Sequence, residues 1–146
     1  MRTIWDVMTA MRSLYSAQLE AASRECGLAR VELDILLFLA NNPQFDTATD
    51  IVERRHISKA HVSQSVKSLE QRGYLERCYE GDNRRTIHLR LMENAQAAVD
   101  AGRQAQLHCF ETFMCGFSAP ELEQLRGYLS RIAENVHAEQ EEGSKK

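Results

Sequence analysis

The chain has 146 residues, 43% of them hydrophobic and 27% charged, the size and composition of one globular domain that can bury a core without disulfides. No apolar run approaches the roughly 18 residues that span a bilayer. The opening MRTIWDVMTAMRS also lacks a continuous apolar centre, so no secretory leader or membrane anchor is expected and the cytoplasm is. The net charge is −3, yet Arg54–Arg90 holds nine Lys/Arg against four Asp/Glu while the remainder holds nine against seventeen, so one face of an acidic protein can meet a polyanion.

In chain order, Ile4, Met8, Met11, Tyr15, Leu19 and Ala22 recur at steps of three and four, which predicts a long helix over Thr3–Glu25 that ends at Gly27. A core helix is expected over Arg30–Asn41, apolar nearly all round at Ile35–Leu39 and stopped by Asn41-Asn42-Pro43. Asp46 or Thr47 caps a short helix with Ala48, Ile51 and Val52 inward, and Arg54-Arg55-His56 makes the turn. Ser58 is a good N-cap for a helix over Lys59–Gln71, buried along Val62, Val66 and Leu69 and ended by Arg72-Gly73. Tyr74–Tyr79 reads as a strand. Thr86–Leu91 alternates Ile87, Leu89 and Leu91 with Thr86, His88 and Arg90, as a half-buried antiparallel strand does. The polar tip between them is Glu80–Arg85. A helix over about Glu93–Gly116 carries a stripe of small residues followed by aromatic ones. Ser118-Ala119-Pro120-Glu121 is a capping box for a last helix striped by Leu122, Leu125, Leu129, Ile132 and Val136. Glu139–Lys146 is expected to fray.

The four cysteines, Cys26, Cys78, Cys109 and Cys115, include no Cys-x-x-Cys pair and match no zinc spacing. Reduced thiols packed as small apolar groups are the simplest reading. No metal and no cofactor is expected. No paired nucleophile and base, no glycine-rich phosphate loop and no convergent carboxylates suggest an enzyme.

A short helix, a tight turn and a second helix form a helix-turn-helix, whose second helix lies in the major groove of double-stranded DNA. The outer surface of the Lys59 helix suits that role: Lys59, His61, Ser63, Gln64, Lys67 and Ser68 bond hydrogen without a carboxylate until Glu70. Gln64 can address an adenine edge and Ser63 a base or phosphate. Ser58 and the first free N–H groups can receive a phosphate, with Lys59 and Lys67 adding phosphate contacts. Arg84 or Arg85 at the hairpin tip suits a narrow minor groove, with Asp82 expected to form a salt bridge to Arg84.

The stretch VSQSVKSLEQRGYLER followed by DNRRTIHLRL resembles the MarR family of winged helix-turn-helix transcriptional regulators. The family pattern falls on Leu69, Gly73, Tyr74-Leu75, Asp82 and Arg84, and departs at Leu91–Ala95, where Met92 stands for threonine and Ala95 for glycine. The resemblance covers nearly the whole chain in the order of its elements. It implies a mainly α fold with a small β-hairpin wing: a single MarR-like domain with a winged helix-turn-helix over 28–92 and helical dimerisation parts over 1–27 and 93–142. The function implied is that of a homodimeric DNA-binding repressor on a pseudopalindromic operator, released by a small molecule. A phenolic or carboxylate effector would sit between the dimerising helices and the DNA-reading part, near Trp5, Met8, Arg12, Tyr15 and His108, facing Arg12. Three alternatives stay open. One is a thiol sensor at Cys26, flanked by Arg24 and Glu25, or at Cys109. Another is a metal-responsive regulator through His108, Cys109 and Glu111, or His137. The last is a helical interaction module that binds no DNA.

Overall fold

The computed structural model describes residues 3–144; Met1, Arg2, Lys145 and Lys146, parts of the expected dimerisation segment and charged tail, lie outside them. The chain divides into two compact units after Cys109.

The first unit holds α1 (Ile4–Glu25), α2 (Arg30–Asn41), α3 (Ala48–Arg55), α4 (Lys59–Gln71), β1 (Leu75–Glu80), β2 (Asn83–Leu91), a 3-10 turn (Glu93–Ala95) and most of α5 (Gln96–Phe113). Side-chain caps set the helix starts. The Asp6 N–H donates to Thr3 Oγ1 at 3.2 Å while the Asp6 carboxylate accepts the Thr3 N–H at 3.0 Å. Thr47 and Asp50 repeat this exchange at 3.1 Å in both directions, and the His61 N–H donates to Ser58 Oγ at 3.2 Å. Each such cap satisfies a backbone donor that the helix itself cannot. The start after β2 lacks such a cap. Met92 offers none, so the expected helix from Glu93 opens as a 3-10 turn closed by the Ala95 N–H on the Met92 carbonyl at 3.0 Å.

Apolar periodicity then decides what is buried. Leu19, Leu33, Ile35, Leu36, Phe38, Ile51, Val62, Leu69 and Leu75 are almost wholly shielded and form one core with Val66, Leu89, Ala95, Ala98 and Val99. The α1 stripe splits. Leu19 and Ala22 join this core, whereas Ile4, Trp5, Met8 and Met11 are exposed.

The wing differs from the sequence expectation in three ways. The tip is not Glu80–Arg85 but the two residues Gly81-Asp82, because Gly81 supplies the positive φ (53°) that a tight hairpin turn requires. Arg84 and Arg85 therefore lie in β2, and the surplus residues are absorbed as a register irregularity between Cys78 and Glu80. A third extended piece also pairs with the hairpin: the Leu89 N–H donates to the Asp46 carbonyl at 2.7 Å and Thr47 bridges His88.

The small residues of α5 admit a close neighbour at Gly102, a side chain rather than another backbone. A Cβ there would stand 2.7–2.9 Å from three side-chain atoms of Leu37, and Leu37 is itself buried.

The second unit contains the end of α5, a turn through Met114–Phe117, and α6 (Ala119–Gly143). The expected capping box forms: the Ser118 hydroxyl and N–H both donate to Glu121 at 2.6 and 2.7 Å, which holds the Glu121 carboxyl below its ordinary pKa. α6 stays helical to Gly143, so the described part of the expected frayed tail is mostly ordered helix. No residue of its heptad stripe is fully buried: Leu122 and Leu125 are half-buried, and Leu129, Ile132 and Val136 are exposed.

Gly102→Ala is expected to destabilise the fold by about 1–2 kcal/mol, since an overpacking cost of roughly 1–3 kcal/mol outweighs a helix-propensity gain below about 1 kcal/mol. Urea denaturation measures it, and Leu37→Val in the same chain should recover part of the loss.

Candidate nucleic-acid interface

α4 presents the outer surface expected of it. Ser58, Lys59, His61, Ser63, Gln64 and Lys67 are exposed, while Val62, Ser65, Val66 and Leu69 turn inward. The Ser58 oxygen is occupied by the His61 N–H, which leaves its O–H free to donate to a phosphate.

Ser68 does not belong with the outer group. Its hydroxyl donates to Glu32 Oε1 at 2.6 Å. Glu32, buried in α2, also accepts the Ala29 N–H at 2.9 Å and the Arg72 guanidinium at 3.4 Å. Arg72 donates its other arm to the Gly27 carbonyl at 2.9 Å and lies 5.1 Å from the Tyr74 ring. One carboxylate thus ties α4 to α2 and, through Arg72, to the end of α1. Sequence reasoning missed Glu32, whose partners lie 36 and 40 residues away. The local sign was a pair of acids, Glu32 and Asp34, inside the apolar run VELDILLFL.

Arg84 and Arg85 are exposed on β2. The expected Asp82–Arg84 salt bridge does not form among the described residues; the Arg84 guanidinium instead stacks on the Tyr79 ring, 4.8 Å from its centroid. With Asp82 at the turn and Arg84 carried into the strand, the cross-strand aromatic face is the nearer partner. Arg77 pairs with Glu70 at 3.0 Å and Arg90 pairs with Glu76, fastening the wing to α4 and its two strands to each other.

Residues 27–86 match the sequence model of the MarR family. In sequence, this segment is similar to that family. The fold extends the likeness over the whole chain. A MarR-family transcriptional regulator from Listeria monocytogenes, solved in complex with 26mer DNA, is similar at a TM-score of 0.78 and 21% identity, over 95% of this chain and 92% of that one. A SlyA-like regulator from the same species is similar at 0.74 and 21%, over 95% and 91%. S. aureus MepR in its DNA complex is similar at 0.72 and 16%, over 92% and 96%. No curated protein matches the chain. The mainly helical architecture with a small β wing is thus the MarR fold.

The sequence-predicted effector residues do not gather. Trp5, Met8, Arg12 and His108 are exposed, and only Tyr15 lines the cavity that this part of the MarR fold encloses. That cavity, of about 320 Å³, lies among Tyr15, Arg30, Leu37, Phe38, Arg55 and Gln106. Gln106 donates to the Tyr15 hydroxyl at 3.0 Å, and Arg30 is held by Asp34 at 3.0 Å and by Ser16. Arg55 is stacked near the Phe38 ring at 5.0 Å, and among the described residues no carboxylate pairs with it. An acid ligand would therefore find Arg55, not Arg12.

Burial, with Glu25 adding, raises the Cys26 pKa, and burial raises that of Cys109; both shifts reduce the thiolate fraction that a sensor needs. Among the described residues no three His, Cys, Asp or Glu side chains gather as metal ligands. No described helix is long and apolar enough to cross a membrane.

Glu32→Ala leaves Ser68 and Arg72 without their acceptor. A loss of roughly 1–3 kcal/mol in unfolding free energy is expected. Hydrogen exchange should localise the loosening to α4, and a uniform change across all helices would contradict this role.

Proposed function

We propose that the protein is a homodimeric, sequence-specific double-stranded-DNA-binding transcriptional repressor, released by a small acidic or phenolic effector. The observation that carries the reading is the outer face of α4. Lys59, His61, Ser63, Gln64 and Lys67 are exposed together on a helix with no acid in its first turn, and Arg84 and Arg85 stand on the wing that follows. A solvated helix ordinarily mixes both signs. Gln64 and Ser63 would read base edges from the major groove. Lys59, Lys67 and Ser58 would set the helix on the backbone, and a wing arginine would enter the minor groove.

Dimerisation is supported by apolar surface that one copy leaves uncovered: Ile4, Trp5, Met8 and Met11 on α1, and Leu129, Ile132 and Val136 on α6. Uncovered apolar residues of this kind on each helix call for a partner, and a two-fold dimer would read a pseudopalindrome with half-sites about 10 bp apart. Release by an effector is supported by the cavity around Tyr15 and Arg55. Its wall includes Ile57, one residue before the cap of α4, so an occupant would press on the turn that aims the reading helix. Coupling of this kind typically changes affinity by roughly 5- to 150-fold.

Fluorescence anisotropy against DNA from upstream of the protein's own gene tests the reading. Binding should fall steeply with salt. Lys67→Ala should weaken every sequence about equally and lower the salt slope by about one, whereas Gln64→Ala should cost roughly 1–3 kcal/mol on the preferred site and relax its base preference. Equal loss for both variants on all sequences would contradict base reading by α4. Addition of salicylate, as a phenolic carboxylate probe, should release the wild type and leave Arg55→Ala bound; release of both alike would remove Arg55 from the effector role.

A further inference from the structure

The root of the wing carries a polar cluster that neither DNA contact nor core packing requires. His88 Nδ1 lies 2.7 Å from Asp46 Oδ1, and Nε2 lies 3.8 Å from Glu80 Oε1. The backbone repeats the link: the Leu89 N–H donates to the Asp46 carbonyl at 2.7 Å, and Thr47 bridges His88. Asp46 and Thr47 immediately precede α3, and Thr47 is its cap. His88 therefore joins the wing to the first helix of the helix-turn-helix. The groups facing it are Asp46 before α3, Asp50 in the first turn of α3, Glu80 at the end of β1, and its cross-strand neighbour Cys78. The nearby cation, Arg90, is engaged by Glu76.

We propose that His88 and Asp46 are wing-positioning residues, and that protonation of His88 fastens the wing to α3 and strengthens DNA binding as the pH falls. This rests on the DNA-binding reading above. A neutral imidazole bonded to Asp46 through Nδ1–H turns a bare lone pair at Nε2 toward Glu80. An imidazolium donates from both nitrogens and so bridges carboxylates on two elements. A wing held in one position loses less freedom on entering the minor groove than one that swings. The hydrogen bond to Asp46 holds the His88 pKa above its ordinary value; partial desolvation opposes this, and the charges of Asp46, Glu80 and Asp50 add to it. The sign follows. The charged clasp is complete below the ordinary imidazole value and is lost as pH rises through the raised one.

NMR titration of the imidazole in the wild type and in Asp46→Asn, followed by DNA titrations of both proteins near pH 6 and pH 8, tests the proposal. His88 should titrate above the ordinary range in the wild type and return toward it in the variant. The wild type should bind DNA about two- to fivefold more tightly than Asp46→Asn near pH 6, the range an exposed ion pair supports, and the gap should close near pH 8. His56 and His61 are present in both proteins, so their own effect on DNA affinity cancels. An unchanged His88 titration in Asp46→Asn would overturn the clasp, and parallel pH profiles of DNA affinity would overturn its positioning role. If neither protein binds any DNA at either pH, the DNA-binding reading fails, while the imidazole titration still decides whether the clasp exists.

Discussion

The carboxylate of Glu32 is the constraint on which the reading surface depends. A buried charge in α2 is costly unless its lone pairs are taken up. Here they receive the Ala29 N–H, the Ser68 hydroxyl and the Arg72 guanidinium. The same bonds that satisfy the acid fix the rotation and axial position of α4 on α2. The outer side chains of α4 can address a groove only if that position is held within a fraction of an ångström. Apolar packing of Val62, Val66 and Leu69 supplies adhesion but tolerates sliding. The hydrogen bonds to Ser68 and Arg72 do not. Because Arg72 also holds the Gly27 carbonyl, movement of the end of α1 reaches α4 directly.

The wing is fastened by a different set of contacts. Arg77 reaches Glu70 at the end of α4, and His88 reaches Asp46 ahead of α3. Its two arginines stay outside this framework: Arg84 rests on Tyr79 and Arg85 is exposed. A guanidinium stored on an aromatic face keeps its hydrogen-bond donors available, which an ion pair with Asp82 would not. Anchored roots and uncommitted tips are what a groove-entering hairpin requires.

Features with a local physical cause were legible in the sequence. Ser58 and Arg72-Gly73 bound α4, and Ser118 with Glu121 starts α6, because capping depends on residues three apart. Features made by residues distant in sequence were not legible. Ser68 has the look of a groove-facing serine, but it sits at the border of the buried stripe and is taken by Glu32. The strand-like pairing of Asp46 and Thr47 with β2 leaves no alternation to detect in so short a piece. The wing tip came out too long because polarity alone does not tell a turn from a bulged strand. Tyr15 was placed at the cavity by the sequence, while Arg30 and Arg55 converge on it only through the packing of α2 and α3 around Phe38.

In the proposed mode, α4 and the wing read double-stranded DNA as one unit, twice, across a two-fold axis. The decisive measurement is selection of bound fragments from a random DNA pool, with the wild type and Arg84→Ala in parallel. The wild type should enrich a pseudopalindrome and the variant a weaker or shorter consensus, with loss at the positions flanking each half-site. Enrichment of a single unrepeated half-site would contradict the dimer, and no enrichment after unfolding and refolding to strip any bound ligand would contradict DNA reading itself.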